Sequence, residues 1–234
     1  MWRQDLANEK NATVRFERRQ ELIMQSLSLA GSCGSLEARF HRNRSEDAPV
    51  VLVLHPNPKQ GGTMNTLVVY SLFTVFQDLG FSALRINFRG VGKSDGVSSG
   101  GPGELEDARA AWAWLRSECR GAKAAWIAGF SFGAWVGLKL LTLEGDVDGF
   151  VAVAPPVNNL DFSFHDKWVV SSLVAHGTAD ALVPEKNVLE FVAKPRAPGV
   201  EVEYAAVPGA GHFFDPGQEE LARLVGRYVS RRIR

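Results

Sequence analysis

Six short apolar runs, five of them followed by an amphipathic stretch of helical period, constrain this chain more than anything else in it. The runs are VVLVLH (50–55), SALRINF (82–88), AAWIAGF (124–130), DGFVAVAP (148–155), SSLVAHG (171–177) and VEVEYAAVPG (200–209). Runs that stay apolar at every position, rather than at alternate ones, belong to strands buried on both faces, and helices between them supply the cover. The helical stretches are 64–80, 103–119, 131–145, 184–194 and 216–233, with Gly80 placed to end the first and Pro184 to start the fourth. Ahead of them, 20–29 and 35–41 read as two strands joined by the glycine-bearing AGSCG, an antiparallel hairpin. The expectation is an α/β fold: a doubly wound, mostly parallel sheet with an N-terminal antiparallel hairpin. No linker or repeat divides the chain, so residues 20–234 read as one domain and 1–19 as a polar N-terminal extension.

Charge and composition narrow the function classes. The formal net charge is zero, from 26 basic and 26 acidic side chains, and the only basic cluster is the short terminal RRIR. That argues against broad, non-specific nucleic-acid binding, which needs a basic face, and no nucleic-acid partner is expected. No apolar run reaches the length of a membrane span, and the polar start lacks the apolar region of a secretory signal. Cys33 and Cys119 read as reduced thiols, so the expected setting is cytoplasmic. Metal ligation is not expected: His41, His55, His165, His176 and His212 never fall at helical i, i+4 spacing, and there is no CxxC.

In doubly wound sheets the chemistry gathers at the C-terminal ends of the strands. Gly129-Phe130-Ser131-Phe132-Gly133 stands at one such end, between an apolar strand and an apolar helix. A G-x-S-x-G pattern alone is weak, and Gly96-Val97-Ser98-Ser99-Gly100 matches it inside a polar loop. Only the first has the strand-to-helix setting that exposes a nucleophilic serine. Asp180 follows the strand ending at Gly177, and His212 follows the last strand. Alone, the aspartate reads as a helix cap and the histidine as a loop residue. Together they give the order Ser, Asp, His at three strand ends. Asp161 and Asp215 compete with Asp180 for the acid position.

These segments resemble the α/β-hydrolase superfamily from about residue 20 to the C-terminus. GFSFGAW is similar to its nucleophile elbow, HGTADALVP to its acid loop, GAGHFF to its histidine loop and NFRGVGKSDG to the loop after its fourth strand. HPNPKQGGTMN is similar to a compact bacterial branch of predicted serine hydrolases. The resemblance implies Ser131 as nucleophile, His212 as general base and then acid, and Asp180 as the group that orients His212. A hydroxyl needs an imidazole to take its proton, and the imidazole needs a carboxylate to fix its tautomer. It also implies an oxyanion hole formed by the N–H of Phe132 and one N–H from the loop after VVLVLH. Pro56 and Pro58 have no N–H to give, which points to Asn57, with Lys59 or Gln60 as fallback and His55 anchoring the loop.

Two further segments bear on the site. GVGKSDG fails the P-loop, because Asn87 stands five residues before Gly92, and fails the dinucleotide fingerprint, because Asp95 replaces its third glycine. It reads as a turn at the rim of the site. Only 14 residues, VNNLDFSFHDKWVV, separate Pro156 from Ser171, too few for the helical cap many α/β-hydrolases insert there. An open site follows, with His55, Phe130, Phe162, Phe164 and Trp168 as pocket candidates; packing beneath the loop is the competing role for those aromatics. Trp112, Trp114 and Trp126 read as core. The expected function is a serine hydrolase cleaving carboxylic esters or thioesters of a small-molecule acyl substrate through an acyl-enzyme, needing no cofactor. A peptidase or amidase, an acyltransferase and a non-catalytic binding protein on the same fold stay open, as does a homo-oligomer.

Overall fold

A computed structural model describes residues 24–194 and 196–233. The expected polar extension at 1–19, and the start of the hairpin at 20–23, lie outside the described residues. Strands β1 (Met24–Gly31) and β2 (Gly34–His41) form the antiparallel hairpin, with Gly31 opposite Gly34 at its tip. There follow β3 (Val50–Leu54), β4 (Ser82–Ile86), β5 (Ala125–Phe130), β6 (Gly149–Val153), β7 (Ser172–Gly177) and β8 (Val202–Val207). The sheet order is β1-β2-β4-β3-β5-β6-β7-β8, and every pair beyond β2–β4 is parallel.

Helices α1 (Leu67–Asp78), α2 (Pro102–Glu118), α3 (Phe132–Leu141), α4 (Glu185–Val192) and α5 (Gln218–Arg232) cover the sheet on both faces. Alternate residues of β3 feed two cores, which is why the run is apolar throughout. Val50, Leu52 and Leu54 pack in one core with Trp112, Leu138, Phe150 and Phe191. Val51 and Val53 pack in the other with Phe73, Phe76, Trp126 and Tyr228. Gly80 takes φ 84° just past α1, as a helix-ending glycine should. Pro184 sits one residue earlier than expected, capping α4 rather than opening it.

Residues 154–171 join β6 to β7 through one 3-10 turn, Ser163–Lys167, so among the described residues no cap domain stands over the strand ends. Among the described residues no helix is long and apolar enough to cross a membrane. Cys33 is an exposed free thiol and Cys119 a buried one.

The acidic first turn of α2 does more than complement the helix dipole, the role its position alone suggests. Glu104 is fully buried and accepts from the Ser98 and Ser99 hydroxyls and from the N–H groups of Ser99 and Gly101. Asp107, equally buried, grips Arg89 through its backbone N–H and its guanidinium (2.7–3.1 Å). Two buried carboxylates therefore fasten the glycine-rich loop after β4. Within that loop the Lys93 N–H donates to Glu37 at 2.9 Å, occupying a donor that a phosphate cradle would need free.

Candidate active site

Ser131 sits between β5 and α3 with φ 52° and ψ −117°, a conformation costly for a residue with a Cβ. Its surroundings hold it there. The Ser131 N–H donates to the Val153 carbonyl at 2.8 Å, and its carbonyl accepts from Ala134 at 2.9 Å. The two flanking glycines are sterically required. A Cβ on Gly129 would stand 2.3 Å from the Gly133 carbonyl oxygen, and one on Gly133 would stand 2.3 Å from that of Leu54. The turn therefore lifts the serine hydroxyl off the end of the sheet at the N-terminus of α3, where the helix dipole favours negative charge.

His212 reaches that hydroxyl from the loop after β8. Its Nε2 lies 3.0 Å from Ser131 Oγ, and its Nδ1 lies 2.7 Å from Asp180 Oδ2. The carboxylate can only accept, so Nδ1 carries the proton and Nε2 presents a lone pair to the serine. The other Asp180 oxygen accepts from the Leu182 and Val183 N–H groups at 2.8 and 2.9 Å. Burial pushes the Asp180 carboxyl upward, but His212 and those two N–H groups outweigh it and hold it below the usual carboxylate range. Of the competing acids, Asp161 is occupied by the N–H and hydroxyl of Ser163, and only Asp180 pairs with His212. The line Asp180–His212–Ser131 can draw a proton off the serine and return it to a leaving group.

The loop after β3 closes the site from the other side. The Lys59 N–H is taken by Asn57 Oδ1 at 2.9 Å and the Gln60 N–H by the Asn57 carbonyl at 3.0 Å. Both fallback donors are thus engaged, while the N–H groups of Asn57 and Phe132 have no acceptor among the described residues. Asn57 and Phe132 line one cavity with Ser131 and His212. Gly62 has no room for a side chain: a Cβ would stand 2.2 Å from the Pro56 carbonyl oxygen.

His55 is fully buried beneath this loop. Its Nδ1 donates to the Pro56 carbonyl at 2.6 Å and its Nε2 accepts from the Phe88 N–H at 3.0 Å. It anchors the loop and does not line the cleft. Phe130 is also fully buried; its ring backs those of His212 and Phe213, at 5.3 and 5.9 Å between centroids.

The aromatics of the β6–β7 segment need a correction of the same kind. Phe162 packs edge-on against Phe191 at 4.9 Å and stacks with Phe164 at 5.9 Å. Trp168 is fully buried against Phe150 and Phe191, its indole N–H donating to Val170 and Ser172. Phe162 and Trp168 pack on Phe191 of α4, and Phe164 stacks on Phe162 beside Lys139, so the rings hold the segment down and do not line the cleft. Pro156, Asn159 and Leu160 line the cleft in their place, with Gln60, Leu182 and Val183 from other loops. The legible signal was Leu182-Val183, two large apolar side chains in the short turn between a strand and a helix.

Residues 35–165 match the family model of the X-Pro dipeptidyl-peptidases (S15 family). The chain belongs to the S15 family of α/β-hydrolases. It is 36% identical over 211 residues to protein RP471 of Rickettsia prowazekii (strain Madrid E), covering 88% of this chain and 89% of that one. Among solved structures, ATU1826 of Agrobacterium tumefaciens superposes with a TM-score of 0.85 at 39% identity, over 89% of this chain and 96% of its own. XC6422 of Xanthomonas campestris, an a/b serine hydrolase without lid, superposes with a TM-score of 0.78 at 29% identity, over 89% and 94%. This S15 protein is thus a serine hydrolase of the capless branch, as HPNPKQGGTMN and the short 157–170 segment had implied.

Proposed function

We propose that the protein is a carboxylesterase-type hydrolase that cleaves small carboxylic esters or thioesters through an acyl-enzyme on Ser131. Ser131 Oγ attacks the carbonyl carbon as His212 Nε2 takes its proton. The N–H groups of Phe132 and Asn57 receive the negative charge that develops on the carbonyl oxygen. His212 then protonates the departing alkoxide or thiolate, and in the second half it deprotonates the water that releases the acid. Asp180 keeps the imidazole in the required tautomer and stabilises its charged form. No cofactor takes part in these steps.

One observation carries this reading: the unbroken line from Asp180 Oδ2 through His212 to Ser131 Oγ, at 2.7 and 3.0 Å. A reducing, cytoplasmic setting accords with the two unpaired thiols, Cys33 and Cys119. The test is turnover of p-nitrophenyl esters together with fluorophosphonate labelling. Ser131→Ala should lose both while keeping the parent's circular dichroism, and undiminished turnover in that variant would refute the assignment. The family match favours a second reading, a peptidase on the same residues. X-Pro p-nitroanilides cleaved faster than esters would support it.

A further inference from the structure

Two cavities meet at the Ser131 hydroxyl, and among the described residues no Asp, Glu, Lys or Arg side chain lines either one. The larger, of about 230 Å³, runs between Pro156, Asn159, Leu160 and Val183. The smaller, of about 150 Å³, is bounded by Gly61, Gly62, Thr66 and Phe213. Asn57, Gln60 and Leu182 border both. The neighbouring charges are accounted for elsewhere. Both Asp180 oxygens are occupied, Asp161 is held by Ser163, and Lys59 contributes to neither wall.

Building on the esterase reading, we infer that the substrate is a small ester whose acyl and alcohol parts are both uncharged, one part seated in each arm. A charged group entering either arm loses hydration and meets no counter-ion. An ammonium fares worse, because His212 becomes a cation as it takes the serine proton, and like charges then face each other across the site. A dipeptidyl-peptidase acts beside its substrate's N-terminal ammonium, and this cleft offers no free carboxylate to hold one. The mouth points the same way: Leu182 and Phe213, 56% and 57% exposed, put apolar surface beside His212 on the smaller arm. Both volumes lie below the ~300–1,000 Å³ of pockets for drug-sized ligands.

Isosteric pairs test each side of the scissile bond. Butyrylcholine and 3,3-dimethylbutyl butyrate differ only in the charge of the alcohol part. The p-nitrophenyl esters of 6-aminohexanoic and heptanoic acids do the same for a cationic acyl part, and those of adipic and 6-methylheptanoic acids for an anionic one. The neutral member of each set should have the higher kcat/KM by about tenfold or more. Leu182→Asp, which sets a carboxylate on both arms, should shift the butyrylcholine to dimethylbutyl butyrate ratio towards the cation by about tenfold. Charged esters turned over as well as their neutral partners, or a ratio unmoved by Leu182→Asp, would overturn the inference while leaving a Ser131-dependent esterase standing. Rapid cleavage of Gly-Pro p-nitroanilide would overturn it in favour of the peptidase. No turnover of any ester and no fluorophosphonate label would instead bring down the esterase reading beneath it, and this inference with it.

Discussion

His176 Nε2 lies 3.7 Å from Asp180 Oδ2 but donates its proton to the Val183 carbonyl, at 2.9 Å. Its Nδ1 has no partner among the described residues, and burial, the main cause, holds its pKa below the ordinary histidine range, so the ring is neutral. A neutral His176 leaves the Asp180 charge to His212 and clamps the turn that delivers the acid. His176→Phe removes the clamp and strands a buried carbonyl, which should cost about 1–3 kcal/mol of stability. Urea unfolding would register it as a lower midpoint, and an unchanged midpoint would count against the clamp.

Asp180→Asn tests the tautomer directly. The asparagine oxygen can keep the Leu182 and Val183 N–H groups, but its amide then donates towards His212 Nδ1 and drives the proton to Nε2. An imidazole protonated at Nε2 cannot accept from Ser131. The expected loss in kcat is roughly ten-thousand-fold, the size seen for this change in another Ser-His-Asp enzyme. A loss below about tenfold would show that Asp180 is not the orienting acid.

Gly62→Ala probes the loop that carries Asn57. Its Cβ would collide with the Pro56 carbonyl, so the loop must shift and take the Asn57 N–H with it. One such donor is worth about 3 kcal/mol to the transition state. The fall should therefore appear mainly in kcat, by about a hundredfold, with KM changed little. Wild-type kcat in a folded variant would remove Asn57 from the oxyanion hole.

Acid should weaken the fold through His55. Burial pushes its pKa down to about 4. The unfolded histidine titrates near ~6.5, so between those values only the unfolded chain takes up the proton. The stability is full above the unfolded value and is lost as pH falls towards the folded one, by about 3 kcal/mol in all. His41 and His176, both lowered by burial, add losses of the same sign. Unfolding midpoints measured from pH 7 to pH 4 in the parent and in His55→Gln would isolate the His55 share as a shallower slope in the variant.

Asp107→Ala should be among the most damaging substitutions far from Ser131. It strips a buried guanidinium and the Arg89 backbone N–H of their common acceptor, and Arg89 is raised in pKa chiefly by that carboxylate. Breaking such a pair costs about 3–5 kcal/mol. Thermal unfolding by circular dichroism gives the measurement, and a loss under about 1 kcal/mol would mean that solvent reaches the pair.

Much of this protein is legible in its chain. Continuous apolar runs such as 50–54 announce buried parallel strands because burial on both faces leaves no polar alternation. Ser131 and Asp180 stand out because each follows such a run, and His212 because it follows the last strand. The local chemistry of HPNPK is legible too, since two prolines leave few N–H groups to choose among.

Tertiary structure decided the rest, wherever a residue's neighbour lies far along the chain. Asp180 rather than Asp161 meets His212 because of where two loops converge, across 32 residues, and no local pattern encodes that distance. Phe162 and Trp168 pack on α4 instead of the cleft because Phe191 offers them an apolar surface, and Phe164 stacks on Phe162. Glu104 and Asp107, ordinary helix-start acids by position, become buried anchors because the loop after β4 folds back over them. Periodicity reports which residues leave water; only the packed molecule determines what they meet when they do.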